Sequence, residues 1–331
     1  MPDPATFTVC ADVAGQSLAA ALRRFRPGLS WSAAKRLITT RRVAINGTLC
    51  LNDARRLKEG EQIALHEEPQ SPLPREKDIR ILHVDPDLIV IDKPAGIVTL
   101  RRDEERDFSE QRKQLTPTLD ELLPRLLPGG SRSNGRNRKS GFPLYAVHRL
   151  DRDTSGLMLF ALSPRSRDIL IDRFSRHQID RTYRAVCLGC IEGAMTITTR
   201  LVRDRGDGLR GSTDQPDRED AQLAVTHVKP LEHPADRYTV LECRLETGRT
   251  HQIRIHLAEI GHMICGEKLY TRPAPNAPVT EDPSGAPRQA LHSCHLRLKH
   301  PITGRLMEFD SPWPRDLASW LARLRTGGQP A

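Results

Sequence analysis

Tyr145-Ala-Val-His-Arg-Leu-Asp-Arg-Asp-Thr-Ser-Gly-Leu-Met-Leu-Phe-Ala161 is the stretch around which this chain is organised. Two apolar runs flank a polar centre. Ala146 and Val147 read as the end of one strand, and residues 157–162 as the next, buried on both faces. Between them His148, Arg149, Asp151, Arg152, Asp153 and Thr154 crowd into a loop that ends at Gly156. A charged loop held between rigid strands is how active sites are commonly built. Asp151 stands between two arginines, so it is expected to be ionised and acceptor-only near neutral pH. A plain ion pair in a turn explains the same residues without any function.

The chain has 331 residues, enough for one large domain and a small one with a full core and no covalent staples. Its formal net charge is +9 and its pI about 9.4, which favours a polyanionic partner. No apolar run approaches membrane-spanning length, and the N-terminus lacks the apolar core of a signal peptide. Seven scattered cysteines fit reduced thiols rather than a disulfide framework, so the expectation is a cytoplasmic protein. Cys187-Leu-Gly-Cys190 has no second pair at zinc-finger spacing, and His251 and His256 are five apart, unlike the two-histidine helical zinc motif; no metal is expected. Neither a phosphate-binding loop nor a dinucleotide glycine fingerprint is present, and Thr154-Ser-Gly156 is not a nucleophile elbow.

Four further stretches carry chemistry. Asp92-Lys-Pro-Ala-Gly96 follows a strand pair at 79–84 and 88–92 and makes a turn. Arg181-Thr-Tyr183 opens a strand over 180–186, where Tyr183 offers a flat ring and one hydroxyl. Thr247-Gly-Arg-Thr-His-Gln-Ile-Arg-Ile-His-Leu-Ala-Glu-Ile-Gly261 reads as a helix capped by Thr250, with Ile253, Leu257 and Ile260 inward and Gly261 as its stop. Arg254 then lies near the helix start, where a carboxylate can approach both. Residues 289–298 with 307–309 read as a hairpin before a terminal helix.

His148-Arg-Leu-Asp-Arg-Asp-Thr-Ser-Gly-Leu157 resembles the signature of the RluA-type pseudouridine synthases, and the other stretches resemble that family's segments in order. The resemblance implies an enzyme that isomerises uridine in RNA, with Asp151 catalytic, Arg254 paired to it and Tyr183 against the target base, and with no cofactor. Lys93, Arg149, Arg152, Arg249, His251 and Gln252 become candidate RNA contacts.

Residues 1–67 form a separate basic unit. Ser17 and Ser30 are helix-cap candidates, and the second helix carries Lys35 and Arg36, with Arg41 and Arg42 after it. Strands around a turn at Asn46-Gly47 and a last strand at 61–65 complete it. The order resembles the small alpha-L RNA-binding module, whose helix pair usually grips RNA backbone. A solvated helix face is the plainer account of the same charges. Residues 68–76 are a proline-rich linker. Residues 77–325 make the catalytic domain, with 101–142 a polar, mobile insertion. Within it, 129–141 carries four basic residues and no acid, a candidate RNA clamp.

The fold class expected is α+β: the small module plus a large mixed, mainly antiparallel sheet with flanking helices. The expected partner is RNA, ribosomal RNA above all, with no membrane, and the chain a monomer. Two rivals remain: a transfer RNA pseudouridine synthase, and a non-catalytic RNA-binding or ribosome-assembly factor on the same scaffold.

Overall fold

The structure is a computed structural model. It describes residues 5–46, 48–67, 74–101, 103–105, 107, 113, 116–127, 143–215 and 217–326. The basic segment 129–141 lies outside the described residues. The chain divides into two units, residues 1–73 with 102–117, and residues 74–101 with 118–331. The first division therefore falls inside the proline-rich stretch.

In the first unit, β1 (Ala5–Thr8), α1 (Leu18–Phe25), α2 (Trp31–Thr39), β2 (Val43–Ile45), β3 (Thr48–Leu49) and β4 (Gln62–Leu65) follow one another. The strands form a four-stranded sheet in the order β1-β4-β2-β3, antiparallel throughout. Ser17 and Ser30 cap the helices, their hydroxyls accepting from the N–H groups of Ala20 and Ala33 at 3.3 and 3.1 Å. Leu18, Leu22, Ala34, Ile38 and Ile63 fill the small core. Asn46 takes a left-handed φ of 48° in the β2–β3 turn, and its side-chain oxygen accepts the N–H of Gln62 at 2.8 Å. Lys35 and Arg36 stay exposed on α2, while Arg41 and Arg42 are half-buried.

The second unit runs β5 (Arg80–Val84), β6 (Leu88–Lys93), α3 (Leu119–Leu126), β7 (Tyr145–Ala146), β8 (Ser155–Ala161), α4 (Pro164–Ser175), β9 (Asp180–Leu188), β10 (Met195–Val202), β11 (Gly211–Ser212), β12 (Gln222–Glu232), β13 (Tyr238–Leu245), α5 (Gln252–Glu259), β14 (Leu291–Lys299), β15 (Leu306–Asp310) and α6 (Arg315–Arg325). The sheet order is β11-β10-β12-β13-β9-β14-β8-β6-β5, with β15 on β14 and β7 on β8. Every pairing is antiparallel except β8 with β14. The unit is α+β, a mixed sheet with flanking helices. No helix among the described residues is long and apolar enough to cross a membrane.

All seven residues of β8 are buried, because the sheet has a core on each face. Met158 and Phe160 join the cluster with Leu119, Tyr183 and Ile253. Leu157, Leu159 and Ala161 join the one with Leu170 and Leu296. The second residue of the strand is Gly156, φ 111°, whose missing Cβ would stand 2.1 Å from the carbonyl oxygen of Ser293. Only glycine admits this close parallel approach of β14.

Two expectations need correction. Residues within 101–142 are not all a solvated insertion: Leu119, Leu122 and Leu123 of α3 are buried in the large core, and Arg101 binds Glu121 through two 2.8 Å bonds. The cap of α5 is not Thr250 but His251, in a left-handed conformation with φ 61° and no side-chain cap bond. Gln252, the first helical residue, instead ties down the approach to the helix, as its Oε1 accepts the N–H of Arg249 at 3.0 Å. Gly261, φ 85°, ends the helix as its position suggests, but Ile260 is exposed.

Candidate active site

Asp151 sits at the tip of the loop before β8. The loop's backbone is held from three directions. Thr99 accepts the N–H of Leu150 at 3.3 Å and donates to its carbonyl at 2.9 Å. Lys93 and the N–H of Gly96 both donate to the carbonyl of Arg152, at 2.9 and 2.8 Å. Arg288 donates to the carbonyl of Asp153 at 3.0 Å, and Gln289 to the hydroxyl of Thr154 at 3.1 Å. A loop so tied cannot move its carboxylate far, which is the preorganisation a reacting group needs.

Arg254 of α5 donates from Nη1 to Asp151 Oδ2 at 3.2 Å. Its other edge forms a two-pronged pair with Glu267, Nε and Nη2 each 2.7 Å from a carboxylate oxygen. The Tyr270 ring lies under the guanidinium carbon at 5.2 Å. Burial alone would lower the pKa of Arg254; Glu267 and then Asp151 outweigh it, so the net shift is upward. The arginine is therefore a fixed positive charge, held by one carboxylate and presented to the other. Glu267 itself is held low despite its burial, by Arg254 and by the N–H groups of Leu269 and Tyr270.

His251 lies beside the same carboxylate, Nε2 at 3.7 Å from Asp151 Oδ1, and Nδ1 meets the Tyr270 hydroxyl at 2.6 Å. Burial pulls its pKa down to about 4 against the pull of Asp151, so the imidazole is neutral at neutral pH. It borders the Asp151 carboxylate rather than an outer rim. Tyr183 on β9 is 5% exposed. Burial raises its phenol pKa, with Asp151 adding to the rise and Arg181 opposing it. It is thus a wall of the site and a neutral phenol, not an open stacking platform. Arg149 is exposed and, among the described residues, has no hydrogen-bond or ion-pair partner. Arg152 is half-buried; Arg249 is exposed and donates from Nε to the carbonyl of Leu223 at 3.0 Å.

Two proposed RNA contacts are corrected. Lys93 is completely buried, and its ammonium is spent on the carbonyls of Pro94, Ile97 and Arg152 at 2.9–3.0 Å. Burial brings its pKa down to about 7 against the attraction of Asp153, and no phosphate can reach it. Gln252 is 2% exposed and bonds Thr247, the Val225 carbonyl and Thr226 at 2.7–2.9 Å. Its amide belongs to the helix start, not to a ligand.

Glu267 and Tyr270 were not foreseen. Their signal was an acid directly after Gly266 in the otherwise apolar Ile264-Cys-Gly-Glu267. Gly266 has φ 79°, and its Cβ would stand 2.1 Å from the carbonyl oxygen of Arg288. That turn aims Glu267 inward. The Cys187 thiol, by contrast, is pushed up to about 12 by burial and is inert.

Comparison with known proteins decides what this geometry belongs to. Residues 87–259 match the profile of the family described as RNA pseudouridylate synthase. Ribosomal large subunit pseudouridine synthase D of Escherichia coli O157:H7 is 33% identical over 328 residues, 97% of this chain and 94% of that one. The chain belongs to the RNA pseudouridylate synthase family, in its RluA-type branch. A second synthase, also called ribosomal large subunit pseudouridine synthase D, from Haemophilus ducreyi, is 31% identical over 332 residues, with 98% and 95% covered. The fold matches that of Human RNA Pseudouridylate Synthase Domain Containing 4, with TM-score 0.56 and 23% identity over 74% of this chain and 93% of that one. Human RNA Pseudouridylate Synthase Domain Containing 1 gives 0.52 and 21% over 80% and 100%. This synthase is therefore an enzyme of RNA pseudouridylation, and all the residues from Leu88 to Arg254 that frame Asp151 fall inside the matched segment, whereas Glu267 and Tyr270 lie beyond its end.

Proposed function

We propose that the protein converts specific uridines of large-subunit ribosomal RNA to pseudouridine, with Asp151 as the catalytic carboxylate. The observation that carries this reading is the Asp151–Arg254–Glu267 chain of charges, fixed at 3.2 and 2.7 Å at the end of a loop tied on every side. Both named synthases it resembles over almost its full length act, by their names, on the ribosomal large subunit.

The reaction breaks the N1–C1′ bond of uridine, turns the base and joins C5 to C1′. C5 gives up its proton and N1 gains one, so nothing is added or removed. The target nucleoside first leaves its stack, at a cost of a few kcal/mol. Asp151 then acts on the nucleoside as the glycosidic bond breaks, through the oxygen that Arg254 leaves free. Arg254 fixes the other oxygen and the direction of attack. Tyr183 lines the base side of the site. As a neutral phenol it can relay a proton but cannot take one as phenolate. His251, also neutral, fixes the near edge of the pocket. Lys35, Arg36, Arg41 and Arg42 of the first unit, with Arg149, Arg152 and Arg249 of the second, hold RNA phosphates.

Mapping pseudouridines in total RNA with and without the gene tests the assignment. Sites lost from large-subunit ribosomal RNA, and restored by the wild-type gene, are expected. Sites lost only from transfer RNA would move the substrate to that class, and no lost site would favour the non-catalytic reading.

A further inference from the structure

Between β10 and β12 the chain makes a loop, residues 203–221, that in the sequence shows only glycines and mixed charge. It is knit from within. Asp204 accepts the N–H groups of Gly206 and Gly208 at 2.7 and 2.9 Å. Arg205, its side chain 3% exposed, binds Asp207 at 3.0 Å and the carbonyls of Arg272 and Pro273 at 3.1 and 3.3 Å. At β11, Ser212 donates its N–H to Glu259 of α5 at 2.8 Å. Thus the loop is fastened to α5, the helix that carries Arg254.

This fastening fixes Arg210 half-exposed, and among the described residues it has no hydrogen-bond or ion-pair partner. It lines a cavity of about 520 Å³ together with Arg203, Arg249, Thr250, Glu219 and Asp220. Asp220 is already engaged, by Arg218 at 3.0 Å and by the N–H of Arg203 at 2.9 Å. Glu219 is the one acid left to oppose Arg203, Arg210 and Arg249, so positive charge dominates the lining. Arg249 and Thr250 lead directly into His251, which touches the edge of Asp151. The ionisation of His251 and of Tyr270, set first by burial, also feels the charge of Arg210. The cavity is thus next door to the reacting carboxylate. Its volume lies within the range of small-ligand pockets and suits one nucleotide.

We propose that this cavity is a subsite for the nucleotide adjoining the extruded uridine, with Arg210 holding its phosphate. This rests on the functional reading above and deepens it. A guanidinium with no protein partner, on a loop braced by Arg205, meets phosphate oxygens with little ordering left to do. Arg203 and Arg249 add attraction from the two sides.

The test uses the full chain and a transcript of large-subunit ribosomal RNA. Affinity is measured across a salt series for the parent, Arg210→Gln and Arg210→Lys, each with Asp151→Asn so that no turnover intervenes. Arg210→Gln is expected to bind about tenfold more weakly, with the slope of log K against log salt shallower by about 0.7, the value for one single-strand phosphate. Arg210→Lys should keep the slope and recover part of the affinity. In active enzyme the loss should fall on KM rather than kcat. Equal affinity and slope in all three overturn the subsite, as does a loss in Arg210→Gln with the slope unchanged. Unfolding midpoints of the variants guard against a folding artefact. Because binding is scored without turnover, a functional reading that failed would show as no pseudouridine formed by the wild-type protein, apart from this result.

Discussion

The loop at Asp151 and the basic surface of the first unit are both rich in charge, yet they use it in opposite ways. Around Asp151 three cations are shielded and paired, although Arg149 stays exposed. Arg254 is committed to Glu267 and Asp151, Lys93 to three carbonyls, and Arg288 to Asp316, a backbone carbonyl and Ser155. On α2, Lys35 keeps 59% of its side chain exposed and meets Asp53 at a loose 3.5 Å, and Arg36 is exposed. Buried charges fix geometry, because leaving any one without its partner is costly. Exposed charges fix little, but they remain available to a polyanion and respond to salt. The same residue types thus fix the geometry of a buried site in one place and, in our proposal, grip RNA in the other.

Breaking the buried arrangement should have the largest effect. Glu267→Ala strands the Arg254 guanidinium, so stability is expected to fall by about 3–5 kcal/mol, the usual cost of breaking a buried pair. Chemical unfolding would show this, and a loss under 1 kcal/mol would mean that Asp151 alone suffices to hold the arginine. Lys93→Met comes next. Three carbonyls lose their donor, for roughly 1–3 kcal/mol of stability, and turnover falls as the Asp151 loop loosens. RNA affinity should hold, since the ammonium never faced the ligand. Weaker RNA binding in a folded Lys93→Met would restore it as a phosphate contact. The double variant Lys35→Ala with Arg36→Ala should behave in the reverse manner. Stability should stay within about 0.5 kcal/mol, while RNA binding weakens and its salt slope shallows by about 0.9 for each duplex phosphate lost.

Acid should sharpen the same contrast. His251 and His256 are both depressed to about 4 by burial. The unfolded chain takes up these protons near pH 6.5, and the folded chain resists until about 4. Stability should therefore decline as pH falls from about 6.5 to about 4, by at most about 1.4 kcal/mol per pH unit for each histidine. Denaturant midpoints of parent and His256→Leu across that range would check it, and the variant should show the shallower decline.

Much of this was legible in the sequence because local rules decided it. Ser17 and Ser30 cap helices with short polar side chains, and the run 157–162 had to be a strand with two apolar faces. Asp151 and Arg254 were found as a pair only through family resemblance, since 103 residues separate them in the chain. Burial was what the sequence concealed. Lys93 and Gln252 look like ligand-binding residues until the strands beneath them are in place, after which their polar groups are consumed by backbone. Glu267, Tyr270 and Arg210 act through tertiary neighbours: a glycine turn against Arg288 aims the first, and a loop braced on α5 presents the last. No periodicity reports such placements.

The most direct test is to give Asp151→Asn and wild-type protein the same large-subunit ribosomal RNA and count pseudouridines formed. The substitution keeps size and removes the negative charge that Arg254 and the tied loop are built to hold. No pseudouridine from the variant, with RNA affinity within about threefold of wild type, a difference of roughly 0.6 kcal/mol, is the expected result. Pseudouridine formed by the variant at the wild-type rate would contradict it.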